Sequence, residues 1–209
     1  MFFFGHIGIT AGAAKACDIF LSRAKLGNGQ ESDSCSKIVP VINRQRFRLY
    51  PLRSRIKGRI ESVDYRIVLL GSSLPDIIDK PVFLLTGSSA SLSGRDYAHT
   101  PLFNLALLIG GLVLIRYRKS WLLIISLSSF LHLILDQIWN SPVVLFWPLL
   151  GPLPKGETTG WLSARLYSLF FCPEVYIPEI IGLVIILLFA YRLVKRRSVI
   201  SFIRGGAIA

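Results

Sequence analysis

An apolar stretch that carries two ionisable side chains is the feature that most constrains the fold. Residues 121–139 are long enough to cross most of a bilayer as a helix. His132 and Asp136 lie within this stretch, four residues apart, which places them on one face of a helix and one turn apart. Ionisable groups at such depth are costly unless they are paired, face water or bind a cation. The sequence therefore predicts a membrane helix in which His132 and Asp136 are paired, face water or bind a cation.

The remaining apolar residues also fall into blocks. Hydrophobic residues make up 52% of the 209 residues and charged residues 17%, which is apolar for a soluble protein of this size. We predict an all-α integral membrane bundle forming a single domain over residues 1–209, with an N-cap at Thr100 opening the third helix. About five transmembrane helices are expected, at residues 2–26, 62–85, 101–115, 120–139 and 174–194. Residues 161–171 are expected to form a short amphipathic helix at the membrane surface.

The distribution of basic residues predicts the orientation of the chain. The formal net charge is +12, and Lys and Arg cluster in the loop at residues 27–61, at 116–119 and after residue 194. The positive-inside rule makes these segments cytoplasmic and places the N-terminus outside and the C-terminus in the cytoplasm. We therefore expect a multi-pass protein of the inner or plasma membrane whose basic loop contacts membrane lipid. A nucleic-acid partner is excluded, because the basic residues lie between apolar blocks.

This topology brings a set of ionisable residues toward the outer side of the membrane. At about 1.5 Å rise per residue they fall within a slab about 10–15 Å deep. Imidazole and carboxylate groups together suit zinc, or manganese or iron. The same groups also serve as a proton relay in transporters, or as a hydrogen-bonded network that only holds a bundle together. For the whole set we favour metal binding; its members are His6, Asp76, Asp79, His99, His132 and Asp136.

The motifs around these residues occur in a familiar order. They are Gly5-His6, Leu74-Pro75-Asp76 with Asp79 three residues later, His99-Thr100 and His132-x-x-x-Asp136. In this order they resemble the YdjM-type inner-membrane proteins, a family of predicted metal-dependent hydrolases, over residues 4–150. The resemblance implies that the six residues named above form the metal site. Two departures from the family pattern reduce the support for a second metal ion: Asp76 and Asp79 are separated by two residues rather than one, and a histidine before His99 is absent.

The expected function follows from the resemblance. It implies a membrane-bound metal-dependent hydrolase, with zinc as the first choice of metal and manganese or iron as alternatives. The depth of the site favours a lipid or lipid-linked ester or phosphoester as substrate, attacked by a metal-activated water. Asp79 is the candidate second ligand or general base. Two other functions stay open: a proton-coupled transporter, and a non-catalytic structural membrane protein.

Overall fold

The computed structural model describes residues 3–30, 63–86, 94–154 and 160–206, and within these residues the chain is all-helical. The basic loop expected at residues 27–61 lies largely outside the described residues. The helices, numbered in chain order, are α1 (Phe3–Gln30), α2 (Tyr65–Thr86), α3 (Pro101–Arg116), α4 (Trp121–Leu135), α5 (Pro142–Leu145), α6 (Trp161–Phe171), α7 (Pro173–Lys195) and α8 (Val199–Gly205), with a 3₁₀ turn at Ile138–Asn140.

The predicted all-helical class is confirmed, and the finer prediction of five spans is met only in part. Helices α1, α2, α3, α4 and α7 occupy the five predicted positions, and α6 has the predicted bounds. Of the described helices, only α7 is both long and apolar enough to cross a membrane; α3 and α4 are apolar but have 16 and 15 residues. Helix α2 continues through two proline residues, Pro75 and Pro81.

The end of α4 differs from the prediction in a way that shapes the site. The sequence predicted a helix to residue 139, whereas α4 ends at Leu135 and Asp136 is its C-cap. Gln137 then adopts a left-handed conformation with φ of 52°, which turns the chain away from the helix axis. Asp136 therefore lies at the helix end, where its carboxylate can reach neighbouring elements.

Small residues allow the helices to approach closely. A Cβ atom on Gly8 of α1 would overlap the backbone of Gly182 in α7, and a Cβ atom on Gly182 would overlap the backbone of Phe4 and Gly5 in α1. Gly71 of α2 lies against the backbone of Ile125 in α4 in the same way, at 2.8 Å from an added Cβ. Membrane helices often associate through such small residues, because close backbones gain packing energy. The first contact joins α1 to α7, and the second joins α2 to α4.

Glu179 of α7 sets the position of the start of α1. Its side chain is buried, and its Oε2 accepts a hydrogen bond of 3.0 Å from the backbone N–H of Phe4. The first N–H groups of a helix have no partner within the helix, so a buried carboxylate at this point satisfies one of them. Together with the contact between Gly8 and Gly182, this bond fixes the depth of His6, two residues after Phe4.

Candidate metal centre

Five of the six predicted site residues converge on one buried cluster. His6 comes from α1, Asp76 from α2, His99 from the residue before the N-cap of α3, and His132 and Asp136 from α4 and its C-cap. The three imidazoles and Asp136 are buried, and Asp76 is partly exposed. Within the described residues, two sets of three place a ligand atom of every member within 4.8 Å of the others: His6, Asp76 and His132, and His99, His132 and Asp136.

The hydrogen bonds of His99 and His132 fix how their rings face each other. His132 Nδ1 lies 2.7 Å from the carbonyl oxygen of Ser72, and His99 Nδ1 lies 2.7 Å from Asp79 Oδ2. Both oxygens are acceptors, so both Nδ1 atoms carry the hydrogen when the rings are neutral. Both Nε2 atoms then present lone pairs, and they lie only 3.4 Å apart. Two facing lone pairs repel, so this arrangement is stable only with a proton or a cation between them.

The spacing of the two Nε2 atoms fits a metal ion. Zinc binds imidazole nitrogen at about 2.0–2.1 Å with tetrahedral angles, which places two nitrogen ligands about 3.3 Å apart. The observed 3.4 Å agrees with this value. The carboxylate on the ring of His99 at Nδ1 and the backbone carbonyl on that of His132 are also the partners that metal-binding histidines usually have. The donor set present therefore fits a divalent ion.

Asp76 and Asp136 each turn oxygen atoms toward these nitrogens. Asp76 Oδ1 lies 3.6 Å from His99 Nε2 and 3.9 Å from His132 Nε2, while its Oδ2 pairs with Lys80 Nζ at 2.6 Å. Asp136 Oδ2 lies 3.8 Å from His99 Nε2 and 3.0 Å from Arg95 Nε. The salt bridges hold both carboxylates in the ionised form that binds metal.

His6 is the member of the cluster whose polar atoms are least satisfied. Its ring stacks on that of His132, with centroids 3.9 Å apart and planes inclined by 24°. Its Nε2 lies 3.1 Å from Asp136 Oδ1, within ion-pair distance but without the alignment of a hydrogen bond, and among the described residues Nδ1 has no hydrogen-bond partner. Buried polar atoms without partners are costly, and they are common where a ligand or water binds.

Asp79 lies behind His99 rather than in front of it. Its carboxylate accepts hydrogen bonds from the backbone N–H groups of Asp96, Ala98 and His99, at 2.8, 3.1 and 3.2 Å. Oδ2 also accepts the His99 Nδ1–H. Both oxygens are thus engaged with the segment that carries His99. We expected Asp79 to be a ligand or a base, but this geometry favours a role in orienting His99.

The two possible ligand sets describe one metal position rather than two. Both sets contain His132. Its Nδ1 is engaged with the carbonyl of Ser72, which leaves one nitrogen with one lone pair. A single lone pair binds one ion, so His132 cannot serve two. The structure therefore favours a single centre, in agreement with the departures from the family pattern seen in the sequence.

Sequence reasoning missed the cationic residues beside the cluster. Lys80, Arg95 and Arg165, together with Trp161, line a pocket that also contains Asp76 and Asp136; its empty space of about 430 Å³ includes part of the open solvent at its mouth. Lys80 follows Asp76 by four residues on α2, a spacing that signals an ion pair. Arg95 belongs to the segment before His99. Nothing in the sequence connects Arg165 of α6 to this site, because only the fold brings α6 to the pocket.

The fold and the cluster define a class of protein: an all-helical membrane protein with a buried histidine and aspartate centre. The chain matches the YdjM inner membrane protein family over residues 45–200, more than half of its 209 residues, and it belongs to this family. The resemblance seen in the motifs is thereby confirmed, and the family and α7 together support a membrane location. The matched range begins after His6 and includes the other five expected site residues. No curated protein and no solved structure matches the chain.

Proposed function

We propose that this protein binds one divalent cation and hydrolyses an ester or phosphoester of a membrane lipid or lipid-linked molecule. Zinc is the first choice of metal, with manganese or iron as alternatives. The observation that carries the proposal is the pair of Nε2 atoms of His99 and His132, 3.4 Å apart with both Nδ1 atoms engaged elsewhere. Such a pair needs a cation or a shared proton, and the ionised carboxylates beside it favour the cation.

Each residue of the cluster is given a role by its contacts. The ion is assigned to His99, His132 and Asp76, a trio that combines members of the two sets: the two Nε2 atoms are 3.4 Å apart, and Asp76 Oδ1 lies 3.6 and 3.9 Å from them. A bound cation of this kind lowers the pKa of a water molecule and polarises an acyl or phosphoryl oxygen. Asp79 keeps the Nδ1–H of His99 in place, so that Nε2 faces the centre.

Hydrolysis also requires a group that accepts the proton of the attacking water. Asp136 lines the open pocket, and its Oδ1 lies 3.1 Å from His6 Nε2. We assign the proton acceptor to Asp136, with His6 as the neighbour that shares the proton. Asp79 is unsuited to this role, because both of its oxygens accept hydrogen bonds behind His99.

Metal analysis of the purified protein in detergent tests the proposal. We expect about one ion per chain, and we expect His132→Ala to lose it because His132 belongs to both possible ligand sets. Phe130→Ala, on the exposed side of the same helix, serves as the control and should keep the ion. Hydrolysis of ester and phosphoester substrates should stop on chelation and return when the metal is restored.

Three results would contradict the proposal. A protein without bound metal that also cannot be loaded, or His132→Ala with unchanged metal content, would remove the metal centre. Proton-coupled transport in vesicles without stoichiometric metal would instead favour the proton relay, the alternative that the same residues allow.

A further inference from the structure

The pocket in front of the carboxylates is surrounded by positive charge. Lys80 and Arg95 are partly exposed and pair with Asp76 and Asp136, at 2.6 and 3.0 Å. Arg165 lines the same pocket and has no carboxylate within salt-bridge distance among the described residues; its guanidinium lies 5.8 Å from the ring of Trp161. Three cationic side chains from three different segments thus point to one space.

The charges around this pocket do not balance once the proposed cation is bound. Asp76, Asp79, Asp96 and Asp136 contribute four negative charges at or just behind the pocket wall, and Lys80, Arg95 and Arg165 contribute three positive ones. A divalent cation then leaves an excess of one positive charge in a partly buried site. A neutral carboxylic ester would leave this excess uncompensated, whereas a phosphate group carries up to two negative charges. The charge balance therefore favours a phosphoester over a carboxylic ester, the two substrate classes that the proposed function leaves open.

We propose that the pocket is a phosphate subsite and that the substrate is a phosphoester, with the phosphate oxygens held by Arg165, Arg95 and Lys80. Guanidinium groups suit this task, because their planar fork matches two phosphate oxygens at once. Phosphate binding rests on the pocket and on the proposed cation, and cleavage rests on the whole proposed function. In the cleavage step a water oxygen bonds to phosphorus, the bond from phosphorus to the leaving oxygen breaks, and the water proton taken by Asp136 is returned to the leaving alcohol.

Helix α6 indicates where such a phosphate would come from. Trp161 and Arg165 face the pocket, while Leu162, Leu166 and Phe170, spaced at four residues, are exposed on another side of the helix. An exposed apolar face next to basic and aromatic side chains is typical of a helix at a membrane surface. A helix bound in this way lies at the level of the lipid headgroups, which carry the phosphate. The subsite therefore fits a lipid phosphate, and a soluble phosphoester shares the same chemistry.

Titration with inorganic phosphate tests the subsite directly. Calorimetry of the metal-loaded protein in detergent should detect phosphate binding, and Arg165→Gln should weaken it by about tenfold or more, the usual value of one charge-assisted contact. The phosphate affinity of Arg165→Lys should lie between those of the unchanged protein and Arg165→Gln. Arg204→Gln, at an exposed position of α8, should bind phosphate as tightly as the unchanged protein does. Metal content and melting temperature should stay constant across the set. Equal phosphate affinity in Arg165→Gln, or no binding by the unchanged protein, would overturn the proposal.

Further measurements separate the remaining outcomes. If Arg165→Gln does not fold, Lys80→Gln takes its place in the same titration: weaker phosphate binding supports the subsite, and unchanged binding overturns it. Binding to phosphatidylcholine nanodiscs should increase when phosphatidic acid is added, and Leu166→Ser should weaken this binding without changing the titration with glycerol 3-phosphate. Tighter binding of glycerol 3-phosphate than of the lipid would overturn the lipid source and support the subsite. Phosphate binding with metal bound but without hydrolysis of any phosphoester would support the subsite and refute the proposed function.

Discussion

Asp79→Asn distinguishes the role that the sequence suggests for this residue from the role that the structure favours. A ligand or general base would lose its function on this change. A residue that only orients His99 would keep the centre intact but less well held. The substitution retains the size of the side chain and removes its charge, so its effects can be worked out from the hydrogen bonds of Asp79.

The amide has one best orientation. With its oxygen in the place of Oδ2, it still accepts the N–H groups of Asp96 and His99 and the His99 Nδ1–H. Its NH₂ group then meets the N–H of Ala98, which donates to Oδ1 at 3.1 Å in the unchanged protein. One buried N–H loses its acceptor, at a cost of about 1–3 kcal/mol, and the other three bonds lose the contribution of the charge. Because a buried charge is also removed, we expect a net destabilisation of about 3 kcal/mol.

The effect on the metal should be intermediate. Changes to a group that orients a metal-binding histidine usually reduce affinity by about 10–100-fold. Competition with a chelating dye, on protein purified in detergent, measures this affinity, and thermal unfolding measures stability. Glu174→Gln, at an exposed position in the first turn of α7, is the control; it should leave metal affinity unchanged and alter stability by less than about 1 kcal/mol. Metal affinity equal to that of the unchanged protein would refute the orienting role. Unchanged affinity with activity lost by more than about a thousandfold would restore Asp79 as the base.

Two further predictions concern helix packing and topology. Gly8→Ala should destabilise the protein by about 1–3 kcal/mol and weaken metal binding, because the new methyl group overlaps the backbone of Gly182 and displaces the helix that carries His6. Thermal unfolding measures the loss of stability, and metal titration measures the loss of affinity. Gly12→Ala is its control, because the added Cβ meets only the side chain of Ile185, at 3.3 and 3.5 Å, and no backbone. This variant should be as stable as the unchanged protein or more stable, so equal losses in both variants would contradict the argument. The orientation can be tested in a background with Cys17 and Cys172 replaced by Ser. Cysteines introduced at Ser91 and Gly156 should react with a membrane-impermeant maleimide in intact cells, while Cys35 stays protected until lysis. These three positions lie outside the described residues, and labelling of Cys35 alone would show that the orientation is the reverse.

The sequence predicts the helices well because their signals are local. Apolar blocks and the sequence Thr100-Pro101 are enough to locate α3, where Thr100 Oγ1 accepts the N–H of Phe103 at 3.2 Å as expected of an N-cap. The end of α4 was harder to predict. Its apolar residues continue to Trp139, and only the left-handed backbone at Gln137 shows that the helix has already ended.

The candidate site could be predicted as a set of residues but not as a set of roles. The histidines and aspartates stand out because ionisable groups are rare in apolar blocks. Whether one of these residues binds the metal or orients a ligand depends on the atoms that its side chain contacts, and the spacing along the chain does not show those contacts. Asp76 and Asp79 are three residues apart on one helix, yet Asp76 faces the pocket, whereas Asp79 accepts hydrogen bonds from the backbone N–H groups of the segment before α3.

The five residues of the cluster are more than a hydrolytic zinc site needs as ligands. Catalytic zinc is usually held by three protein groups, with one position left for water. His99, His132 and Asp76 supply three donors, and Asp76 is the carboxylate with an oxygen within 4 Å of both Nε2 atoms. His6 and Asp136 then form a second pair beside them, 3.1 Å apart and next to the open pocket. A purely structural centre would be closed by all of its donors, so this surplus of one imidazole and one carboxylate favours a centre built for proton transfer.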